Sequence, residues 1–375
     1  MTIKLTGRID SSNAAMIEMR INEQIAADTT ELVLDAADLT YISSAGLRVI
    51  LRLKKAIPDT KIENCSTDVY EIFDMTGFTE IIPISKAYRK ISVEGCEVIG
   101  EGANGIVYRA DPETIVKVYK LPDSLSDIHR ERELARKAFV MGIPTAIPYD
   151  VVQVGDLFGS VYELLNAKPF SLLLAEGEDL EELARQSVDI LKIIHATSMK
   201  EGELPSKKEE AMRWAESAAE YLPTDLGAKL VRLFAAIPDE NTTIHGDYHV
   251  KNIMRQGKEN LLIDMDTLSV GHPIFEFSQM YLAYCGYAEI DPTDPERFFN
   301  LKPEVVGKFW RKSVDCYFEG KDEAFKAAVI VKARIIAYAK IIRSFVKKQK
   351  QGTPNFEKIV SELTALLPCT DSLTY

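Results

Sequence analysis

The chain of 375 residues carries 45 Lys and Arg against 57 Asp and Glu, a net charge of −12, and 46% of its residues are hydrophobic. That length holds two domains with proper cores, and the acidic balance argues against general nucleic-acid binding. No apolar run approaches the roughly 18–20 residues a bilayer requires. The five cysteines are scattered and odd in number, so no disulfide framework is expected; with no signal peptide, repeat or low-complexity tract, the expectation is a soluble cytoplasmic protein with no membrane partner.

Through about the first ninety residues strand and helix alternate at short intervals. Strands are predicted at Ile3–Ile9, Glu31–Asp35, Lys61–Cys65 and Ile81–Ile84. Helices are predicted at Ser11–Ala27, with Asp10, Ser11 or Ser12 as cap, after YISSAG, and at Asp68–Met75 ending at Gly77. The pattern predicts a small α/β domain with helices packed on a mixed sheet.

This segment resembles the STAS domain of anti-sigma-factor antagonists. The residues that carry the resemblance are Leu39, Tyr41-Ile42-Ser43-Ser44-Ala45-Gly46-Leu47-Arg48 and Ile72-Phe73-Asp74-Met75-Thr76-Gly77-Phe78. The resemblance implies an anti-sigma factor or other STAS-domain partner, and a serine at the start of this helix that a kinase phosphorylates to break that binding. Aligned on Gly46-Leu47, the phosphoacceptor candidate is Ser44, while Ser43 stands where many members have Asp. A phosphate at a helix N-terminus is stabilised by roughly 0.3–1 kcal/mol. Its added charge of about −1.5 to −2 would disrupt a partner surface docked there. The plainer alternative makes Ser43 or Ser44 an ordinary N-cap.

A short basic linker with Lys86, Arg89 and Lys90 spans Ser85 to Ser92. Residues 1–90 balance to −2, and the remainder to −10. The expected domains are 1–88 and 94–375, the second divided into an N-lobe of about 94–165 and a C-lobe of about 166–375.

The second domain opens on GEGANGIVY, in which Gly100, Gly102, Gly105 and Val107 complete a G-x-G-x-x-G-x-V pattern. Glycines let a strand–turn–strand fold its N–H groups over phosphates. The β-rich run that follows is not the helix a dinucleotide-binding turn needs. Thr114–Tyr119 is predicted as a strand whose Lys117 reaches nucleotide phosphates. The helix Asp127–Met141, capped by Ser126 or Asp127, offers Glu131, with Glu133 as fallback, to pair with that lysine. A hairpin then ends in Val161–Leu165, where backbone groups around Glu163 to Leu165 would meet an adenine.

The decisive stretch is HGDYHVKN, His245 to Asn252. Asp247 lies five residues before Asn252, and Asp264 follows twelve residues later in an apolar run. Phosphoryl transfer needs a carboxylate to orient the attacking hydroxyl, and a carboxylate with an amide oxygen to hold Mg²⁺ on the phosphates. Residues 94 to 350 resemble the aminoglycoside phosphotransferase/choline kinase branch of the protein-kinase-like superfamily, through the HGDxHxxN signature. The resemblance implies a bilobal α+β fold with a β-rich N-lobe and a helical C-lobe, using ATP and Mg²⁺. It implies Asp247 as catalytic base, Asn252 and Asp264 as metal ligands, and Lys117 as the phosphate lysine. Val250-Lys251 replaces the common Pro-Gly, and Asp264-Met265-Asp266 replaces DFG; Asp266 is expected in an exposed loop, with a further acid near the metal as the alternative.

Elsewhere, His245 is expected to brace the catalytic loop, His195 to sit at the core boundary and His129 at the surface, with His272 in a turn. Lys332 to Lys350 holds seven Lys and Arg and no acid, as the solvated face of a C-lobe helix. The reading is a STAS domain fused to a kinase-like phosphotransferase acting on an alcohol: a protein serine such as Ser44, in cis, in trans or on a separate STAS protein. A small-molecule kinase regulated or docked by its STAS domain is the alternative, and a nucleotide-sensing scaffold without turnover the third.

Overall fold

A computed structural model describes every residue except Ala27, Ala103 and Glu201. The chain divides into two compact units, one comprising residues 1–94 with 151–158, the other 95–150 with 159–375.

The first unit is built on four strands in sequential order, Thr2–Ile9, Glu31–Ile42, Asp59–Cys65 and Ile84–Lys86. Every neighbouring pair runs parallel, so the sheet is not the mixed one expected. The reason is connectivity: each strand is followed by a helix that carries the chain back, as a parallel pair requires. The helices are Ala14–Gln24, Ser44–Ala56 and Thr67–Met75. Ile3, Leu34, Ile50, Ile62 and Phe73 meet in one core.

Three local expectations shift. The first helix starts at Ala14 after an Asn13 N-cap, because Asp10 spends its carboxylate on Ser12 instead. The helix ends at Gln24, short of the expected Ala27: the Ile25 backbone is already extended, and Ala27 itself lies outside the described residues. The last strand begins at Ile84, since Phe78–Glu80 forms a 3₁₀ turn after left-handed Gly77 and carries the chain past Ile81.

Ser44 is the first residue of its helix and is exposed. Ser43 caps that helix, accepting the Ala45 N–H at 3.2 Å. The cap role and the exposed hydroxyl thus fall on different serines.

In the second unit, Val98–Glu101, Gly105–Arg109, Thr114–Tyr119 and residues 159–163 of the strand Leu157–Glu163 form antiparallel pairs with Thr114–Tyr119 central. The helix Leu125–Val140 follows, starting two residues before the predicted position, with Ser124 and not Ser126 or Asp127 at its N-cap. A helical body of Leu180–Ala196, Lys207–Ala219, Thr224–Ala235, Ile274–Tyr281, Pro303–Tyr317, Glu323–Lys347 and Pro354–Leu366 encloses a large core around Phe234, Phe275, Phe309, Ile336 and Ile359. The basic stretch Lys332–Lys350 turns Ile335, Ile336, Ala339 and Ile342 inward.

Set into this body is a short hairpin, Ile253–Gln256 with Glu259–Leu262, in which Ile253 faces Leu262. Its register matters for the site. Asn252 and Ile263 flank the hairpin's open end and are joined by the Ile263 N–H to Asn252 carbonyl bond at 3.0 Å. Asp264 is therefore delivered beside Asn252.

Candidate active site

Lys117 projects from its strand into a nest of oxygens. Its Nζ is 2.9 and 3.1 Å from the Glu131 carboxylate and 3.0 Å from Asp264 Oδ1. Burial alone would lower the Lys117 pKa, but the charges of Asp264 and Glu131 outweigh it and hold the ammonium charged. Glu133, the fallback partner, is instead an exposed neighbour of Arg136 and Lys137. Glu131 is further held by two hydroxyls: Tyr119 donates to Oε2 and Tyr162 to Oε1 at 3.0 Å. Neither tyrosine was singled out from sequence, although both stand in strand patterns next to the lysine and the hinge.

The Gly-rich turn pairs Gly100 with Val107 and Glu101 with Ile106, and the Gly102 N–H bonds the Gly105 carbonyl at 2.9 Å. At its rim, Asn104 Nδ2 approaches Asp266 Oδ2 at 3.4 Å. At the strand exit Glu163 is exposed, and the Leu164 N–H is committed to the Glu113 carbonyl at 2.7 Å. Of the backbone groups proposed to meet a base, that donor is already spent; Leu165 follows it outside regular structure.

The catalytic-type loop is braced from beneath. Glu276, completely buried on the helix Ile274–Tyr281, accepts the N–H groups of His245 at 2.6 Å and Gly246 at 3.0 Å. Burial would raise its pKa, but His195, His245 and the Gly246 N–H more than offset this and keep it ionised. His195 Nε2 lies 3.9 Å away, while its Nδ1 bonds Tyr317. His245 contacts the Ile263 carbonyl through Nε2 at 3.3 Å and accepts the Asp247 N–H. His129 is exposed and His272 buried. Glu276 was missed in the sequence, although a single acid inside the apolar run PIFEF signals a buried, paired charge.

Gly246 has φ +84°, and a Cβ there would stand 2.7 Å from the Thr267 carbonyl oxygen. Only glycine fits. Tyr284 supports the far end of the loop by accepting the Val250 N–H at 3.0 Å.

Above this brace, Asn252 Nδ2 donates to the Asp247 carbonyl at 2.9 Å and approaches its Oδ2 at 3.3 Å. The Asp247 side chain is about half exposed (47%), open to an incoming hydroxyl. His249 is buried with Nε2 3.6 Å from Asp247 Oδ2, and burial lowers its pKa so the ring is neutral. Asp264 has φ +66°, a left-handed conformation uncommon outside glycine. Such strain persists where the surroundings over-determine it, often at functional positions. Asp266 is half-buried, not exposed as expected, because the Asn104 contact and the Arg130 bond to its carbonyl fold it into the cleft. Burial, with the charges of Asp264 and Glu131, pushes its carboxyl up to about 7.

Among the described residues no three His, Cys, Asp or Glu side chains gather as a metal cage. The donor set at hand is one carboxylate, Asp264, and the Asn252 amide, whose nitrogen is used on Asp247 and whose oxygen has no hydrogen bond among the described residues. One or two protein oxygens completed by phosphates and water is the usual Mg²⁺ pattern, so these residues fit that ion.

The model of the phosphotransferase enzyme family, APH, matches residues 95–301, more than half of the chain. The chain belongs to the phosphotransferase enzyme family. A STAS domain model matches residues 1–91. The anti-sigma factor antagonist BtrV of Bordetella bronchiseptica is 34% identical over 87 residues, which are 22% of this chain and 75% of that protein. Among solved structures, a GDP complex of a variant aminoglycoside 2'-phosphotransferase-IIIa matches 79% of this chain and 96% of its own, with TM-score 0.51 and 13% identity. An ADP-bound aminoglycoside phosphotransferase, APH(2'')-Ib, matches 72% and 92% with TM-score 0.48 and 17% identity. At these identities the likeness speaks to fold alone. This phosphotransferase thus joins an N-terminal α/β STAS domain to a protein-kinase-like domain, and no helix among its described residues is long and apolar enough to cross a membrane.

Proposed function

We propose that this phosphotransferase moves the γ-phosphoryl group of Mg²⁺-ATP to a serine hydroxyl, with Ser44 of its own STAS domain, in the same or a second copy, as the first candidate. The observation that carries the reading is the Lys117 ammonium shared between Glu131 and Asp264 in the cleft that also holds Asp247 and Asn252. Lys117 neutralises phosphate charge, and the Gly100–Gly105 turn with Val107 covers the nucleotide. The strand exit at Glu163 and Leu165 faces its base. Asn252 and Asp264 would hold Mg²⁺, which would supply charge stabilisation on the transferring phosphates. Asp247 orients the acceptor hydroxyl and takes its proton.

Two features support Ser44. It is exposed at a helix N-terminus, and Ser43 has already taken the capping role, leaving the Ser44 hydroxyl free of that duty. Fusion by a short linker gives the serine a high effective concentration near a kinase of the same chain. One observation favours a small-molecule acceptor instead: a solved structure similar to this chain is of an aminoglycoside phosphotransferase.

The test of the reaction is nucleotide turnover by the full chain. Mg²⁺-dependent conversion of ATP to ADP that Asp247→Ala and Asp264→Asn each abolish supports the reading; turnover equal in the wild type and both variants sinks it.

A further inference from the structure

The acceptor side of the site is chemically distinct from its nucleotide side, and its rim is aromatic. His249, against Asp247, has its ring edge-on to Phe298 at 5.3 Å and Phe299 at 5.6 Å. Phe298 is 43% exposed, and Lys251 of the catalytic-type loop lays its ammonium over that ring at 4.5 Å.

The acids of this rim are mostly spent. Arg297 binds Asp291 at 3.0 Å and Asp294 at 2.6 Å. Glu296 alone in this segment is exposed without such a partner. A polycationic sugar bound beside Asp247 would need several unpaired carboxylates; it would find Lys251 and a neutralised wall.

We propose that this rim, with Phe298 as a specificity-determining residue, takes a serine-bearing segment of a polypeptide through its apolar side chains and turns away polycationic sugars. The inference deepens the reading above and rests on it. In the transfer, the serine oxygen bonds to the γ-phosphorus and the bond from that phosphorus to the β–γ bridging oxygen breaks. The hydroxyl proton passes to the Asp247 carboxylate, and the nucleoside diphosphate leaves with the electron pair of the broken bond. Rim contacts then govern acceptor affinity more than the chemical step.

The experiment uses full-length protein, with the Asp247→Ala chain as polypeptide acceptor and kanamycin as the polycationic probe. Labelled phosphate is expected on the Asp247→Ala chain, with kanamycin neither phosphorylated nor inhibitory. Phe298→Ala is expected to raise the acceptor KM about tenfold with a smaller change in kcat, the size of effect a lost aromatic contact gives. Arg297→Ala, which uncovers Asp291 and Asp294, is expected to make kanamycin a competitor. Kanamycin phosphorylation by the wild type overturns the inference. So does Asp247-dependent ATP consumption with no phosphate on the polypeptide, although that result leaves the phosphotransferase reading standing. Absence of any Asp247-dependent ATP consumption removes both.

Discussion

The buried carboxylate of Glu276 holds the Gly246 N–H at 3.0 Å, so a helix of the C-terminal body sets the backbone from which Asp247 projects. The same carboxylate holds His245 at 2.6 Å, and no water is needed to satisfy either donor. Glu276→Gln keeps the shape but loses the charge and one acceptor. A charge-assisted hydrogen bond is worth about 1.5–3 kcal/mol. The variant is therefore expected to unfold at lower denaturant and to lose kcat at least in proportion, as urea titration and ATP turnover would measure. Unchanged stability and turnover would show that the brace is idle.

Gly246→Ala acts on the same loop by a different route. The left-handed backbone costs an L-residue about 1–2 kcal/mol, and its Cβ would meet the Thr267 carbonyl oxygen at 2.7 Å. The expected result is a folded protein with activity reduced more than a hundredfold, since a misplacement near 1 Å costs on the order of 10²-fold. Circular dichroism alongside turnover separates this from global unfolding.

Tyr162→Phe removes one donor from Glu131 and leaves Lys117 in place. Glu131 then turns more easily, and the lysine is less well aimed. A several-fold rise in the KM for ATP is expected, with little change in the KM for acceptor. Equal changes in both would point to a general loss of structure.

Lys340 gives a pH prediction. It is half-buried, rests against Trp214 at 5.2 Å and approaches Gln279, and faces Lys207 and Glu210 on the neighbouring helix. Burial, then the Lys207 charge, lowers its pKa to about 8, against charges of Glu210, Asp247 and Glu276 that raise it. Between about 8 and the unfolded value near 10.4 the unfolded chain binds more protons, so this group makes stability rise with pH across that window. Below pH 8 the native state bears a partly buried ammonium. Lys340→Met is therefore expected to raise the thermal midpoint at pH 7, with the gain shrinking by pH 10. A gain that is flat across this range would assign it to packing alone.

The residues that bear chemistry were legible because their types and spacing leave few other uses: Lys117 in an apolar strand, Asp247 and Asn252 on one loop, and Asp264 after an apolar run. What holds them was not. Glu276 reaches Gly246 across thirty residues of sequence, and the tyrosines on Glu131 meet through sheet register that no local pattern encodes. Asp266 was misjudged because its burial depends on Asn104, 162 positions away. In the first domain the strands and helices were readable from periodicity. The parallel sense of the sheet depends on how helices return the chain, and the mixed sheet expected there was wrong.

The central claim is transfer of phosphate to Ser44, and phosphopeptide mapping tests it most directly. Purified full-length protein and its Asp264→Asn variant would be incubated with Mg²⁺-ATP, digested and analysed by mass spectrometry. The account predicts phosphate on the peptide containing Ser44 in the wild type and none in the variant. ATP-consuming wild-type protein with an unmodified Ser44, both alone and mixed with a second copy, would contradict it.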